Sequence, residues 1–115
     1  MIKMKILIGL LLLGTFISAN AAELTVGFKA GKPTQEEFVL AAKRTFFKRN
    51  YEISAVSAGK VTGIYKSWMT MDMILTDRAV IIRNTEPANN DARRIKGYLN
   101  NLSRDLTYEL AGYIL

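Results

Sequence analysis

The apolar positions change period several times along this chain, and each change predicts an element. Residues 23–28 alternate, with Leu24, Val26 and Phe28 between polar or small neighbours, which is the two-residue period of a strand. Gly31-Lys32-Pro33 breaks that run. From Thr34 the period lengthens. Thr34 and Glu37 stand at capping-box spacing and predict a helix from Gln35 to about Arg49, with Phe38, Val39, Ala42 and Phe46 on its main apolar face. Leu40 and Phe47 fall on nearly the opposite side, so the helix needs a second neighbour, either another helix of the chain or a partner subunit; the C-terminal helix is the simplest choice.

Alternation returns at Tyr51 and predicts four short strands at about 51–57, 60–66, 69–76 and 79–84, with turns at Ala58-Gly59 and Asp77-Arg78. A two-residue turn at Asp77-Arg78 pairs Leu75 with Val80, Met73 with Ile82 and Asp72 with Arg83. It puts Met71, Met73, Leu75, Val80 and Ile82 on one face. A left-handed Gly59 adds Tyr51, Ile53, Val61 and Tyr65 to that core face. The other face mixes Thr62, Thr70, Asp72 and Arg83 with Ile64, Ile74 and Ile81, while Trp68 sits at a hairpin tip. Three isoleucines in neighbouring strands suggest a patch to be covered by the 23–28 arm or by a second subunit.

The final helix is expected from Asp91 to about residue 111, because Ile95, Tyr98, Leu99, Leu102, Leu106, Leu110 and Tyr113 share a stripe about 120° wide. Gly97 and Gly112 weaken it. The fold predicted is therefore α+β: a four-stranded antiparallel meander with helices 35–49 and 91–111 on one face, and an additional N-terminal strand from 23–28. Residues 34–115 form one domain, preceded by 22–33 as an arm or edge strand.

The first 21 residues read differently. Lys3 and Lys5 precede an apolar run from Ile6 to Ile17, and Ala19-Asn20-Ala21 supplies small residues at both positions of a cleavage site. The run is nearer a dozen residues than the ~20 of a membrane-spanning helix. A cleavable secretory signal is expected, cut after Ala21 or Ala22, with release into the periplasm. Removing 21 of 115 residues leaves 94 and lowers the net charge from +6 to +4.

Composition narrows the chemistry. The chain has no cysteine, so stability rests on packing without disulfides. It has no histidine, which removes the commonest general base and the commonest transition-metal ligand. No metal site and no cofactor are expected. Met69, Met71 and Met73 could bind copper(I) through sulfur if exposed, but their alternation places all three on the core face.

The acidic residues have structural explanations: Glu36 and Glu37 favour the first helix dipole, Asp72 faces Arg83, and Asp105 and Glu109 repel each other modestly on the last helix. No base and nucleophile can be placed together, so no catalytic residue is assigned. The basic residues Lys43, Arg44, Lys48 and Arg49 end the first helix, and Arg93, Arg94, Lys96 and Arg104 give the second a basic side. Side by side they would form a basic rim facing anionic envelope components.

With this layout, the chain resembles a family of small exported proteobacterial proteins of unknown function, built as a helix, an antiparallel meander and a final helix. The residues that carry the likeness are Asn50-Tyr51 where the first helix enters the first strand, the segment Gly59-Lys60-Val61-Thr62-Gly63-Ile64-Tyr65, and Ile95-Lys96-Gly97-Tyr98-Leu99-Asn100-Asn101-Leu102 followed by Asp105-Leu106. Tyr51 and Tyr98 stand where the family carries tryptophan. The resemblance implies the fold and no catalytic residues.

The function expected is that of a non-catalytic periplasmic module of the cell envelope. It would bind a protein or ligand through Ile64, Ile74 and Ile81, through Trp68, or through both. Peripheral binding to anionic lipid or lipopolysaccharide by the basic rim is the alternative, and a small hydrolase the third. Nucleic acid is not an expected partner of an exported protein. The chain is expected to be a monomer or a homodimer.

Overall fold

Five strands form one antiparallel sheet, and two long helices lie on one of its faces. The computed structural model describes residues 22–85 and 92–115; the expected leader with its Ala21 cleavage site, the loop around Pro87 and the first residue of the expected final helix lie outside them. In chain order the elements are β1 (Glu23–Gly27), α1 (Gln35–Lys48), β2 (Tyr51–Ser57), β3 (Lys60–Tyr65), β4 (Met69–Leu75), β5 (Ala79–Asn84), α2 (Ala92–Glu109) and α3 (Ala111–Ile114). The sheet order is β1-β5-β4-β3-β2, every pair antiparallel.

The meander has the register its turn chemistry dictates. Thr76 receives the backbone N–H groups of Arg78 and Ala79 on its hydroxyl, which ties the turn, and Leu75, Met73 and Asp72 then face Val80, Ile82 and Arg83. Gly59 takes φ +75° in the first hairpin turn. β1 pairs with β5 from Glu23↔Arg83 to Gly27↔Ala79. It lengthens the sheet at its edge and leaves the isoleucine face uncovered.

α1 starts with a complete capping box. The Thr34 hydroxyl accepts the Glu37 N–H, and the Glu37 carboxylate accepts the Thr34 N–H. α1 crosses β2, β3 and β4, whereas α2 crosses β1 and β5. Between them and the sheet lie Phe38, Phe46, Val61, Met69, Met71, Met73, Val80, Ile82, Ile95, Leu102 and Leu106, all fully buried. The three alternating methionines therefore fill the core. α2 ends at Glu109 because Leu110 adopts φ −115°, ψ 31°; the turn of α3 that follows buries Ile114 and lets the Tyr113 carbonyl accept the N–H groups of Lys29 and Ala30.

Two expected core placements are corrected. Phe47 does not pack on α2: it is 80% exposed. Leu40 is 51% exposed and only borders the groove between the helices, in a depression it shares with Arg44, Glu109 and Leu110, because α2 is matched to Arg44 through Glu109 and to Arg49, just past the end of α1, through Asp105. Ile53 is 37% exposed although it faces the helix side, because β2 is the outer strand of the sheet and only Tyr51 within it is buried. A register shift between Ile53 and Ala55 bends this edge further.

Candidate functional site

The site is built where α1 ends. Asn50 takes φ 65°, a left-handed conformation that asparagine tolerates, and its N–H returns to the Phe47 carbonyl. The chain then turns directly into β2, whose first residue is Tyr51. Tyr51 pairs with Tyr65, the last residue of β3. Beyond Tyr65, Lys66 and Ser67 both have positive φ (50° and 66°), and Trp68 N–H closes the turn onto the Tyr65 carbonyl. Positive φ at both central residues is what a hairpin turn of this twist requires.

α2 lays Tyr98 against this corner. The rings of Tyr51 and Tyr65 are 5.2 Å apart, those of Tyr65 and Tyr98 5.3 Å, and Trp68 meets Tyr98 edge-on at 6.1 Å. Phe46 continues the cluster inward, 5.1 Å from Tyr51. The result is a cleft of about 250 Å³ lined by Lys48, Arg49, Asn50, Tyr51, Tyr65, Tyr98, Asn101 and Leu102. Tyr98 and Asn101 are shared with a shallower depression that reaches Arg94 and Gly97.

Its electrostatics are uneven. Arg49 donates through Nε and Nη2 to Asp105 at 2.6 and 3.3 Å. That hydrogen bond holds the Asp105 carboxyl below its ordinary pKa and raises Arg49 in turn. Lys48 forms no ion pair among the described residues, so Lys48, Arg49 and Asp105 together leave one positive charge at the cleft. Arg94 lies 5.2 Å over the Trp68 ring, and Lys66 lies 5.3 Å over Tyr65. Tyr51 is the anomaly. Its hydroxyl is buried with no hydrogen-bond partner among the described residues, and burial, together with Tyr98 and Tyr65 beside it, pushes the phenol well above its ordinary pKa.

The structure redistributes the residues singled out in the sequence. Trp68 turns to the helix side, onto Tyr65 and Tyr98. Ile74 and Ile81 are directly paired on the open sheet face, but Ile64 pairs with Thr70 and is separated from them by the polar Thr62–Asp72 rung. The isoleucines thus form no single patch. Asp72 faces Arg83 in register, yet it accepts from Thr62 at 2.6 Å and lies 3.7 Å from Lys60, while Arg83 pairs with Glu23.

Of the basic residues, Arg49 is held by Asp105 and Arg44 lies 3.8 Å from Glu109, so the carboxylates expected to repel each other each face an arginine of α1. Lys48, Arg49 and Arg94 reach the cleft and its extension. Lys43 and Arg44 lie along α1 away from it, and Arg93 lines neither depression.

Tyr51, Tyr65, Tyr98, Asn50 and Asn101 were not assigned a site from the sequence. The available signal was positional: Tyr51 opens one strand, Tyr65 closes its partner, and Tyr98 and Asn101 are one helical turn apart. The nearest approach to a nucleophile with a base among the described hydrogen bonds is Thr62 on Asp72, which lies on the open sheet face outside the cleft. Comparison of the chain with protein-family models, curated proteins and solved structures finds no match.

Proposed function

We propose that this chain is an exported, non-catalytic binding protein of the periplasm that takes a small ligand in the tyrosine cleft. The signal-like leader and the resemblance to small exported proteobacterial proteins support the location. The observation that carries the binding role is the cleft of about 250 Å³ in which Tyr65, Tyr98, Asn50 and Asn101 converge around the buried, unpartnered Tyr51 hydroxyl. An orphaned buried hydroxyl costs about 1–3 kcal/mol, a sacrifice of stability of the kind found at functional sites.

Trp68 is the chain's one tryptophan, so its emission reports on this corner alone. Protein purified after expression of the full chain, titrated with the low-molecular-weight fraction of a periplasmic extract, should change its Trp68 emission. Tyr98→Ala should abolish the response while Ile74→Asp leaves it intact. A response absent in the parent, or retained in Tyr98→Ala, would sink the reading. N-terminal sequencing of the periplasmic protein tests export: a chain that keeps its leader contradicts it.

A second reading is favoured by the gathering of Trp68, Lys66 and Arg94 at one hairpin tip: peripheral contact with an anionic membrane surface. Salt-sensitive co-sedimentation with anionic vesicles, lost in Trp68→Ala, is the outcome it requires.

A further inference from the structure

Resting on the cleft as a ligand site, we propose that its ligand is a carbohydrate of about one ring that carries a single carboxylate. Four properties of the lining point the same way. The volume, about 250 Å³, lies below the roughly 300–1,000 Å³ of sites for drug-sized molecules, which suits a single small ring and leaves little room for a folded peptide segment.

The walls are aromatic. Tyr65 and Tyr98, half-buried and tilted at 45° to one another, border the opening, while Tyr51 lies beneath them between Phe46 and Tyr65. The negative face of such a ring attracts weakly positive C–H groups, and the C–H face of a pyranose offers several of them. A fully apolar ligand would satisfy these rings and nothing else in the cleft.

The polar groups are of both senses. The Asn50 and Asn101 amides offer donors, and the Asn50 carbonyl oxygen an acceptor; the Asn101 carbonyl oxygen already accepts from Arg104 at 3.0 Å. Sugar hydroxyls both donate and accept, and can therefore meet these groups.

The charge is small and specific. Arg49 has its guanidinium fork engaged by Asp105, so it is not available for the bidentate grip that phosphate recognition favours. Within the lining itself what remains is the point charge of Lys48, with the Arg104 guanidinium engaged behind it by the Asn101 carbonyl oxygen. One ammonium in the lining matches one carboxylate.

The test is titration of the purified protein with D-glucuronate, D-glucose and acetate, followed by Trp68 emission and by tyrosine proton shifts in NMR. Glucuronate should bind about tenfold more tightly than glucose, and acetate should produce no saturable shift at about 10 mM. Lys48→Gln should bring glucuronate down to the level of glucose.

Equal binding of glucose and glucuronate overturns the acidic part of the proposal, and equal binding of acetate overturns the saccharide part. If none of the three binds while the periplasmic fraction still shifts Trp68 emission, the carbohydrate assignment falls and the cleft remains a ligand site. If that fraction is also silent, both fall.

Discussion

The ring of Phe46 rests on the backbone of Gly63 so closely that a Cβ at position 63 would stand 2.7 Å from Phe46 Cδ1. Through this contact α1 sits low on β3, and the same ring touches Tyr51 on its other flank.

Gly63→Ala should therefore destabilise the fold, although alanine usually suits a strand interior better than glycine. Overpacking of this kind costs about 1–3 kcal/mol. A fall in the urea midpoint is expected; an unchanged or higher midpoint would mean that Phe46 moves aside freely.

Phe46 and Phe47 should respond in opposite ways despite being neighbours. Phe46→Ala removes a fully buried ring and should cost about 3–5 kcal/mol, whereas Phe47→Gln should stay within about 0.5 kcal/mol of the parent. Comparable losses in denaturant melts would show that Phe47 has a partner in solution.

Leu102 is buried beneath α2. Leu102→Ala should cost about 2–5 kcal/mol. A loss below about 0.5 kcal/mol in the same melts would mean that α2 is not packed through its Ile95–Leu102–Leu106 stripe.

The Arg49–Asp105 pair gives the fold an acid-sensitive contribution. The Asp105 pKa is lowered in the folded state, so its contribution is fully present above the ordinary carboxylate value of about 3.9 and is lost as pH falls through the lower folded value. Arg49→Met should cost about 1–3 kcal/mol at neutral pH, tempered by the solvent that reaches the guanidinium, and should flatten the acid limb. Urea melts between about pH 2 and 6 check both; an acid limb equal to that of the parent would assign the effect to other carboxylates.

Tyr51→Phe should stabilise the unliganded protein by up to about 1 kcal/mol, because it removes a buried hydroxyl that has no partner. The sign reverses the usual outcome of a core substitution. At high pH the Tyr51 phenol, whose pKa is raised on folding, contributes stability below the ordinary tyrosine value of about 10, and that contribution is lost as pH rises through the folded value. The parent should weaken above about pH 10 more steeply than Tyr51→Phe; identical alkaline melts would show the hydroxyl to be solvated.

The elements were legible because each carries its own signal. Thr34 and Glu37 announce the start of α1, the Asp77-Arg78 turn sets the β4–β5 register, and the alternation of Met69, Met71 and Met73 marks the buried face of β4. The candidate site was not legible as a site. Tyr51, Tyr65 and Tyr98 read locally as packing residues at the ends of two strands and on a helical stripe. Nothing within about ten residues of any one of them indicates that the three meet.

Periodicity, capping and turn chemistry act over a few residues, and they fix which face of each element is apolar, where the turns fall and how β4 and β5 pair. Which side of α1 receives α2 is instead settled by long-range packing. That choice matches Arg44 with Glu109 and Arg49 with Asp105, turns Phe47 to solvent, and brings Tyr98 onto Tyr65. Local patterning specifies a surface that must be covered. The covering neighbour depends on contacts between residues as far apart as Arg49 and Asp105, and these exist only once the chain has closed on itself.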